Sequence, residues 1–237
     1  QTTGSSDASV DASTVEQVAR PTHALHDARH PTQPDLSPDT RIVSVWDDAF
    51  PAIDVGEAAA RWFSQRFGST LRVVRFDPSM KRRVSKKWTG DYDAVTQFAD
   101  GFPMLVTGEA SLAELNGRLA AKGAPTISMN RFRPNIVISG LEPYDEDFID
   151  TLTIGGSDAV VLRMSKPCAR CPIPTINQSD GSRDAEWPHE PLETLATYRA
   201  NPLVNGGLTF GQNAIAIQGV GQWIEVGAPI ETEWNFV

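Results

Sequence analysis

The stretch Ala159-Val160-Val161-Leu162-Arg163-Met164 runs almost directly into Lys166-Pro167-Cys168-Ala169-Arg170-Cys171. The first half is rich in β-branched and apolar residues, which predicts a short buried strand. Pro172 and Pro174 closely follow the second cysteine, and proline discourages a regular helix there. The sequence therefore predicts a strand that leads into the cysteine motif, with irregular chain beyond it.

Other short strands are predicted on both sides of this one. They are Arg41–Trp46, Leu71–Phe76, Asn135–Ser139 and segments at about 213–218, 222–226 and 229–234. The stretch 77–92 is punctuated by glycine and proline and carries the basic run Lys81-Arg82-Arg83. It is predicted to be a solvated loop.

Three helices are predicted between these strands. Asp54 is predicted to cap the first helix, with Glu57 as its capping-box partner. Ser111 and Glu114 are predicted to do the same for the second, and Pro191 to lie in the first turn of the third. Because the helices do not alternate regularly with the strands, the pattern favours an α+β, β-rich, barrel-like fold over a Rossmann fold.

Composition and charge argue against several classes of protein. The chain has 237 residues, a net charge of −9 and a pI of about 4.9, which argues against nucleic acid as a general partner. No apolar run reaches the roughly 18 residues that a membrane span needs, and no stretch has the pattern of a signal peptide. Two cysteines are too few for a disulfide scaffold or a four-cysteine iron–sulfur cluster. These features favour a reducing, cytoplasmic location.

Residues 1–40 differ in composition from the rest of the chain. They are rich in Ser, Thr, Asp, Ala and Pro and lack a sustained apolar period, which predicts a linker or the degenerate end of a domain. His23, His26 and His30 lie there at a spacing that could hold a metal. A linker offers no fixed frame for ligands, so solvated histidines are the favoured interpretation.

The spacing of Cys168 and Cys171 leaves several kinds of site open. It fits a redox dithiol, half of a zinc site, a single functional thiolate, or two small buried side chains without chemistry. Zinc needs about four ligands, and His189 is the one histidine downstream. Lys166 and Arg170 flank the sulfurs and favour a thiolate, which suits a soft transition metal. The single functional thiolate is the interpretation that these residues favour.

Short strings around this motif resemble the MOSC superfamily, and within it the branch of the mitochondrial amidoxime-reducing component and its bacterial relatives. The resemblance covers about residues 41–237. Its markers are Phe98-Ala99-Asp100-Gly101-Phe102-Pro103, Glu109-Ala110-Ser111-Leu112 with Leu115-Asn116, Arg131-Phe132-Arg133-Pro134-Asn135-Ile136-Val137, Lys166-Pro167-Cys168-Ala169-Arg170-Cys171, Glu190-Pro191-Leu192-Glu193-Thr194-Leu195, Phe210-Gly211-Gln212-Asn213 and Val226-Gly227. Each string is short, but their order and spacing together are specific.

The resemblance implies a MOSC-type β-barrel with peripheral helices that holds molybdenum on a pterin dithiolene. It implies that Cys171 is the protein ligand of the metal and the catalytic cysteine, and Cys168 is interpreted as a packed neighbour. Arg170, beside the ligand, is assigned to cofactor binding.

Four further residues are assigned to the cofactor through the resemblance. Arg133 and Asn135 match family positions that grip it, and Asp100 and Gly101 lie where the family approaches the pterin. An arginine fork suits phosphate, and asparagine offers a donor and an acceptor to a heterocycle edge. Taken alone, Arg133 could instead pair with an acid in 142–147, and Asn135 could cap a turn.

The resemblance also divides the chain. Residues 1–40 are assigned to a linker or degenerate end, 41–110 to the remainder of an N-terminal β-rich region with its connecting helix, and 111–237 to the MOSC domain. Full-length relatives carry a Lys-Ser-type turn that adds contacts to the cofactor phosphate, and residues 1–40 contain no such turn. The chain is therefore expected to be about the C-terminal two-thirds of that architecture.

Three functions are compatible with these predictions. The first is a molybdenum-dependent reductase of N-hydroxylated compounds that takes electrons from a separate ferredoxin- or flavoprotein-like protein. The second is a sulfur-carrier or cofactor-handling module, as in MOSC domains fused to pyridoxal-phosphate-dependent desulfurases. The third is a non-catalytic remnant.

Overall fold

The computed structural model describes residues 14–18 and 40–235. The strands are β1 (Thr14–Val18), β2 (Thr40–Val45), β3 (Asp48–Asp54), β4 (Val74–Phe76), β5 (Arg82–Arg83), β6 (Val95–Thr96), β7 (Met104–Gly108), β8 (Ile136–Ser139), β9 (Ile149–Ile154), β10 (Val160–Ala169), β11 (Ala200–Asn201), β12 (Gly207–Gln218) and β13 (Ile230–Trp234). The helices are α1 (Glu57–Phe67), α2 (Lys86–Thr89), α3 (Glu109–Ala121) and α4 (Leu192–Ala196), with 3-10 turns at Met129–Arg131, Asp145–Phe148, Ile173–Thr175 and Pro202–Val204.

The described residues form two compact units. The large unit contains 14–18, 87–92 and 104–235, and the small unit contains 40–86 and 93–103. Strand β1 lies in the segment that the sequence assigns to a linker, and the three linker histidines lie outside the described residues. The boundaries drawn from the sequence at residues 40 and 110 stay a prediction.

The large unit is built on one eight-stranded sheet. Its strand order is β1-β8-β7-β12-β10-β9-β13, with β11 paired to β12. The β7–β8 pair is parallel and the other pairs are antiparallel. The sheet curls into a half-barrel with few helices around it. The prediction of a strand-rich mixed fold is confirmed.

Two apolar clusters fill the large unit. The first lies on the sheet and includes Val106, Ile138, Leu152, Leu162 and Ala214, each fully buried. The second joins α3 to α4 and includes Leu115, Leu119, Phe132, Leu195 and Phe210, also fully buried. Leu112, Leu115 and Leu119 of α3 lie three or four residues apart, so they share the face of the helix that packs in this cluster.

The small unit contains the sheet β2-β3-β4, helix α1 and the short pair β5–β6. Asp54 does not cap α1, contrary to the sequence prediction, because the residue at the N-cap is Gly56 and no side chain caps the helix. Asp54 ends β3 and is fully buried, where it accepts hydrogen bonds from Arg41, Arg72 and the Gly56 amide. These contacts, led by the Arg41 hydrogen bond, lower the pKa of Asp54 to about 2.

The predicted capping box of α3 is also wrong. The helix begins at Glu109, so Ser111 lies inside it, and its hydroxyl donates to Glu146 at 2.6 Å. Glu114 accepts instead from the hydroxyls of Tyr144 at 2.7 Å and Tyr198 at 3.1 Å. Both polar side chains are satisfied by partners far along the chain, which a local motif cannot reveal.

Three smaller predictions are also corrected. The stretch 77–92 contains β5 and α2 and is not all loop, and Arg82 within it is buried, so the solvated interpretation is wrong there. Residues 222–226 form no strand. Strand β12 starts at Gly207, earlier than the predicted 213. Among the described residues, no helix is long and apolar enough to cross a membrane.

Glu146 is a fully buried carboxyl group that also accepts from the Gly108 amide at 3.1 Å. Burial raises its pKa above the ordinary value of 4.5. A carboxyl group with a raised folded pKa binds its proton more tightly when folded. Its stabilising contribution is therefore full at pH below 4.5 and is lost as the pH rises through the folded pKa.

Glu146→Gln is expected to flatten the pH dependence of the free energy of unfolding above pH 4.5, because the amide cannot ionise. Denaturant unfolding at several pH values between 4.5 and 8 measures this slope. Glu142→Gln, at an exposed position, is the matched control and is expected to leave the slope unchanged. Asp54 titrates below this window. An unchanged slope in Glu146→Gln contradicts the expectation.

Candidate functional site

Strand β10 carries the cysteine motif along its pairing with β12. Pro167 lies opposite Gln212, and Ala169 lies opposite Thr209. Cys168 alone therefore faces two residues of β12, Phe210 and Gly211, which is the arrangement of a β-bulge. The strand includes Cys168, and Cys171 lies two residues beyond its end.

Gly211 makes this bulge possible. Its φ is +74°, and a Cβ at this position would lie 2.5 Å from the carbonyl oxygen of Val106 and 2.6 Å from a methyl carbon of Thr107. Only glycine avoids both the left-handed backbone cost and this contact. The bulge distorts the pairing of β10 with β12 at the cysteine motif.

The two sulfurs have different surroundings. Cys168 is half-buried, whereas Cys171 is exposed, and both are free thiols. An Nη atom of Arg170 donates to the sulfur of Cys168 at 2.9 Å. Lys166 does not reach a sulfur in the structure, and its ammonium lies 5.2 Å from the centre of the Trp88 ring. Of the two cations predicted to flank the sulfurs, only Arg170 contacts one, and that sulfur belongs to Cys168. The sulfur of Cys171 is exposed.

Arg170 also connects the cysteine motif to a second predicted segment. Its other Nη atom donates to the carbonyl oxygen of Phe132 at 2.7 Å, and its backbone amide donates to Leu208 at 2.8 Å. The Phe132 ring stacks on Phe210, with centroids 3.8 Å apart and planes 11° apart. The Nε atom of Arg170 is buried and has no hydrogen-bond partner within the described part of the chain. The structure thus brings the turn before Arg133 next to the cysteine motif.

Arg133 and Asn135 follow Phe132 directly. Arg133 is exposed, has a φ of +57° and makes no ion pair within 14–18 and 40–235, so the alternative of a partner among the acids at 142–147 does not hold. The Asn135 side-chain oxygen accepts from the Leu105 backbone amide at 2.8 Å, and the Asn135 backbone amide donates to the Leu105 carbonyl at 2.9 Å. Asn135 therefore fixes this turn through its side-chain oxygen, and none of the described residues accepts from its side-chain NH2 group.

Asp100 and Gly101 belong to the small unit. The Asp100 carboxylate accepts from the indole of Trp46 at 3.2 Å, at an exposed position. A Cβ placed on Gly101 would meet nothing within 4 Å, so open space adjoins its backbone. These two residues are adjacent and accessible within their own unit.

Comparison with known proteins places this site in a family. The MOSC domain matches residues 93–231, which is more than half of the chain. The chain belongs to the MOSC domain family. It is 40% identical over 149 residues to human mitochondrial amidoxime-reducing component 1, a match covering 62% of this chain and 41% of the relative. The predicted resemblance to this branch is confirmed.

Two further relatives extend the comparison. Mitochondrial amidoxime-reducing component 1 of Mus musculus is 35% identical over 184 residues, covering 75% of this chain and 51% of the relative. Molybdenum cofactor sulfurase of Arabidopsis thaliana is 35% identical over 162 residues, covering 64% of this chain and 19% of the relative. Matches to the amidoxime-reducing components span 41% to 51% of their length. The crystal structure of YiiM from Geobacillus stearothermophilus has 13% identity and a TM-score of 0.36, covering 82% of this chain and 71% of that one.

Two polar residues in the sequence strings shared with the MOSC family make hydrogen bonds that the sequence did not reveal. Gln212 is buried and donates to Asp147 at 2.8 Å, and Asp147 also pairs with Arg199 at 2.5 Å. Asn116 bonds both the amide and the carbonyl of Ile127, at 2.8 and 2.9 Å. The signal for Gln212 was a polar residue between buried ones in a strand. Nothing local identified Asp147 as its partner.

Proposed function

We propose that this MOSC chain binds a molybdenum–pterin cofactor and reduces N-hydroxylated compounds with electrons from a separate redox protein. The observation that carries the proposal is the exposed, free thiol of Cys171. Its neighbour in the chain, Arg170, binds the Phe132 carbonyl in the turn that bears Arg133, an arginine without an ion-pair partner in the described chain. A soft sulfur donor beside an uncompensated cation suits an anionic metal–sulfur group.

The residues present fit such a cofactor better than a metal held by protein alone. Among the described residues, no group of three or more His, Cys, Asp or Glu could hold a metal ion. One accessible thiol suits a metal whose remaining ligands come with an organic group. The buried Nε of Arg170 is a donor without an acceptor among the described residues.

Each residue has a defined part in the proposal. When bound, the cofactor supplies a metal that cycles by two electrons. Cys171 binds that metal, Arg133 compensates the cofactor's negative charge, and the side-chain NH2 of Asn135 donates to it. The resemblance also assigns Asp100 and Gly101 to cofactor binding, and this assignment stays a prediction. The substrate's N–O bond breaks as it takes up two electrons and two protons, which yields the reduced nitrogen compound and water.

The test uses the full chain purified from a host that makes the molybdenum cofactor. We expect about one molybdenum and one pterin per chain, and reduction of an amidoxime by a chemical reductant such as reduced viologen. Because the assay uses a chemical reductant and an amidoxime, it requires neither the physiological electron donor nor the physiological substrate. A purified protein with neither molybdenum nor pterin contradicts the proposal.

A sulfur-carrier or cofactor-handling role is the second candidate. It is favoured by the match to a molybdenum cofactor sulfurase and by the exposure of Cys171. In this role the Cys171 thiolate attacks the outer sulfur of a persulfide on a separate donor protein, which forms a persulfide on Cys171 and releases the donor's thiolate. Mass spectrometry that finds an added sulfur of about 32 Da on Cys171, without molybdenum, supports this role over reduction.

A further inference from the structure

Cys171 lies in a short irregular segment between two regular elements of the large unit. Strand β10 ends at Ala169, and the 3-10 turn at Ile173–Thr175 begins two residues after the cysteine. Cys171 and Pro172 are both exposed, so burial in the core does not determine where the thiol lies. Its position therefore depends on the contacts that hold the chain on either side of it.

Both sides of this segment are bound to the turn that precedes Arg133. On the N-terminal side, the Arg170 side chain donates to the carbonyl oxygen of Phe132 at 2.7 Å. On the C-terminal side, an Nη atom of Arg131 donates to the carbonyl oxygen of Pro174 at 3.2 Å. Each of the two chain segments thus supplies one arginine that binds a backbone carbonyl of the other. These two bonds form a reciprocal arginine clamp across the site.

The two carbonyl groups in the clamp belong to well-packed residues. Phe132 is fully buried, and Pro174 is buried within its 3-10 turn. The hydroxyl of Thr175 donates to the carbonyl oxygen of Pro172 at 2.8 Å and closes that turn. Buried side chains are close-packed and shift little, so the clamp joins two rigid points. The exposed residues between them, including Cys171, are held at a defined place beside the turn at 131–133.

From this geometry we infer that Arg131 is a positioning residue for the metal ligand. It holds the segment that carries Cys171 against the turn that bears Arg133, and it acts on the metal through that cysteine. The inference rests on the proposed function, because the proposed metal is what gives the position of the thiol a chemical consequence. The family resemblance assigns cofactor binding to Arg170 and Arg133 but gives Arg131 no role.

Arg131→Met tests the inference, because methionine keeps an unbranched side chain but has no N–H donor. Arg170 is less suitable for the test, since it also binds the sulfur of Cys168. Hydrogen exchange of the backbone amides in 170–176 is expected to accelerate about tenfold, because a charge-assisted hydrogen bond to this segment is lost. The amides of β9 are expected to exchange as in the wild type, which separates local release from general destabilisation.

Molybdenum retained after gel filtration is the second measurement. It is expected to fall about tenfold in Arg131→Met, the effect typical of losing a residue that orients a metal ligand. Arg131→Lys is the conservative variant: one carbonyl needs one donor, and a lysine ammonium supplies three, so retention within about twofold of the wild type is expected. Arg183→Met is the matched control, because Arg183 is exposed on the chain opposite Ile176, and it is expected to match the wild type in both measurements.

Arg131→Gln provides a second variant in case Arg131→Met does not fold. Glutamine is shorter and uncharged, so the same faster exchange and metal loss are expected. A folded variant with wild-type exchange in 170–176, or with wild-type molybdenum, overturns the inference alone, and so does a metal loss that Arg131→Lys does not restore. A wild-type protein without molybdenum overturns the proposed function, and the positioning role falls with it.

Discussion

Replacement of Cys171 by serine is expected to lower the molybdenum content of the purified protein by at least about 100-fold, because the proposed site loses the thiolate assigned to the metal. Replacement of Cys168 by serine is expected to leave most of the metal in place. Metal analysis after gel filtration, with pterin measured in the same sample, separates loss of the metal from loss of the whole cofactor.

The contrast between the two cysteines follows from their contacts. Cys171 is exposed and engages no described side chain, whereas the sulfur of Cys168 accepts from Arg170 at 2.9 Å. A serine hydroxyl at 168 can accept the same hydrogen bond, so Cys168→Ser preserves the link from the motif to the Phe132 carbonyl. This makes Cys168→Ser a close structural control for Cys171→Ser.

The opposite pattern of metal loss in the two variants would change the assignment of the metal ligand. Metal loss in Cys168→Ser with retention in Cys171→Ser makes Cys168 the ligand and Arg170 its direct electrostatic partner. Equal retention in both variants contradicts a thiolate ligand altogether. Thermal unfolding of both variants distinguishes these outcomes from a general loss of structure.

The strands of the large unit were predictable because their signal is local. Asn135–Ser139 and Ala159–Met164 are dense in β-branched residues, and both fall on strands of the sheet. The helix starts were not predictable in the same way. Ser111 has the sequence context of a cap, but its hydroxyl is used by Glu146, 35 residues away. A buried acceptor at long range overrides a local capping preference worth about 1 kcal/mol.

In the candidate site, too, features with a local sequence signal were predictable and long-range contacts were not. The resemblance identified the residues around Cys171 from their order along the chain, and their assignment to the cofactor stays a prediction. The contact of Arg170 with the Phe132 carbonyl, 38 residues apart, has no periodic signature. The burial of Arg82 was hidden because a basic run usually lies in solvent. Such contacts depend on which loops the sheet brings together.

The string Phe210-Gly211-Gln212 illustrates what the resemblance left unexplained. Phe210 stacks on Phe132, Gly211 forms the bulge facing Cys168, and Gln212 binds Asp147. Three consecutive residues of β12 therefore connect the cysteine motif to the turn before Arg133 and to the ion pair of Asp147 with Arg199. The glycine is the member whose role is purely geometric, so it offers the clearest test of this connection.

Gly211→Ala is expected to lower the free energy of unfolding by about 3 kcal/mol or more, and Gly206→Ala by about 1 kcal/mol. The two glycines have nearly the same φ, +74° and +77°, so the left-handed backbone cost is shared. They differ in space, because a Cβ at Gly206 would meet nothing within 4 Å, whereas one at Gly211 would clash with Val106 and Thr107. Denaturant unfolding of the pair therefore isolates the cost of the close approach between β12 and β7.

The same pair tests whether the bulge positions the cysteine motif. If it does, Gly211→Ala also loses molybdenum under conditions in which it remains folded, while Gly206→Ala keeps the metal. The reason is that relief of the clash must move β12 away from β7, and β10 with Cys168 is paired to that part of β12. Equal destabilisation by the two substitutions would mean that β12 shifts at little cost. The register opposite Cys168 would then be set by the pairing of β10 and β12 and not by Gly211.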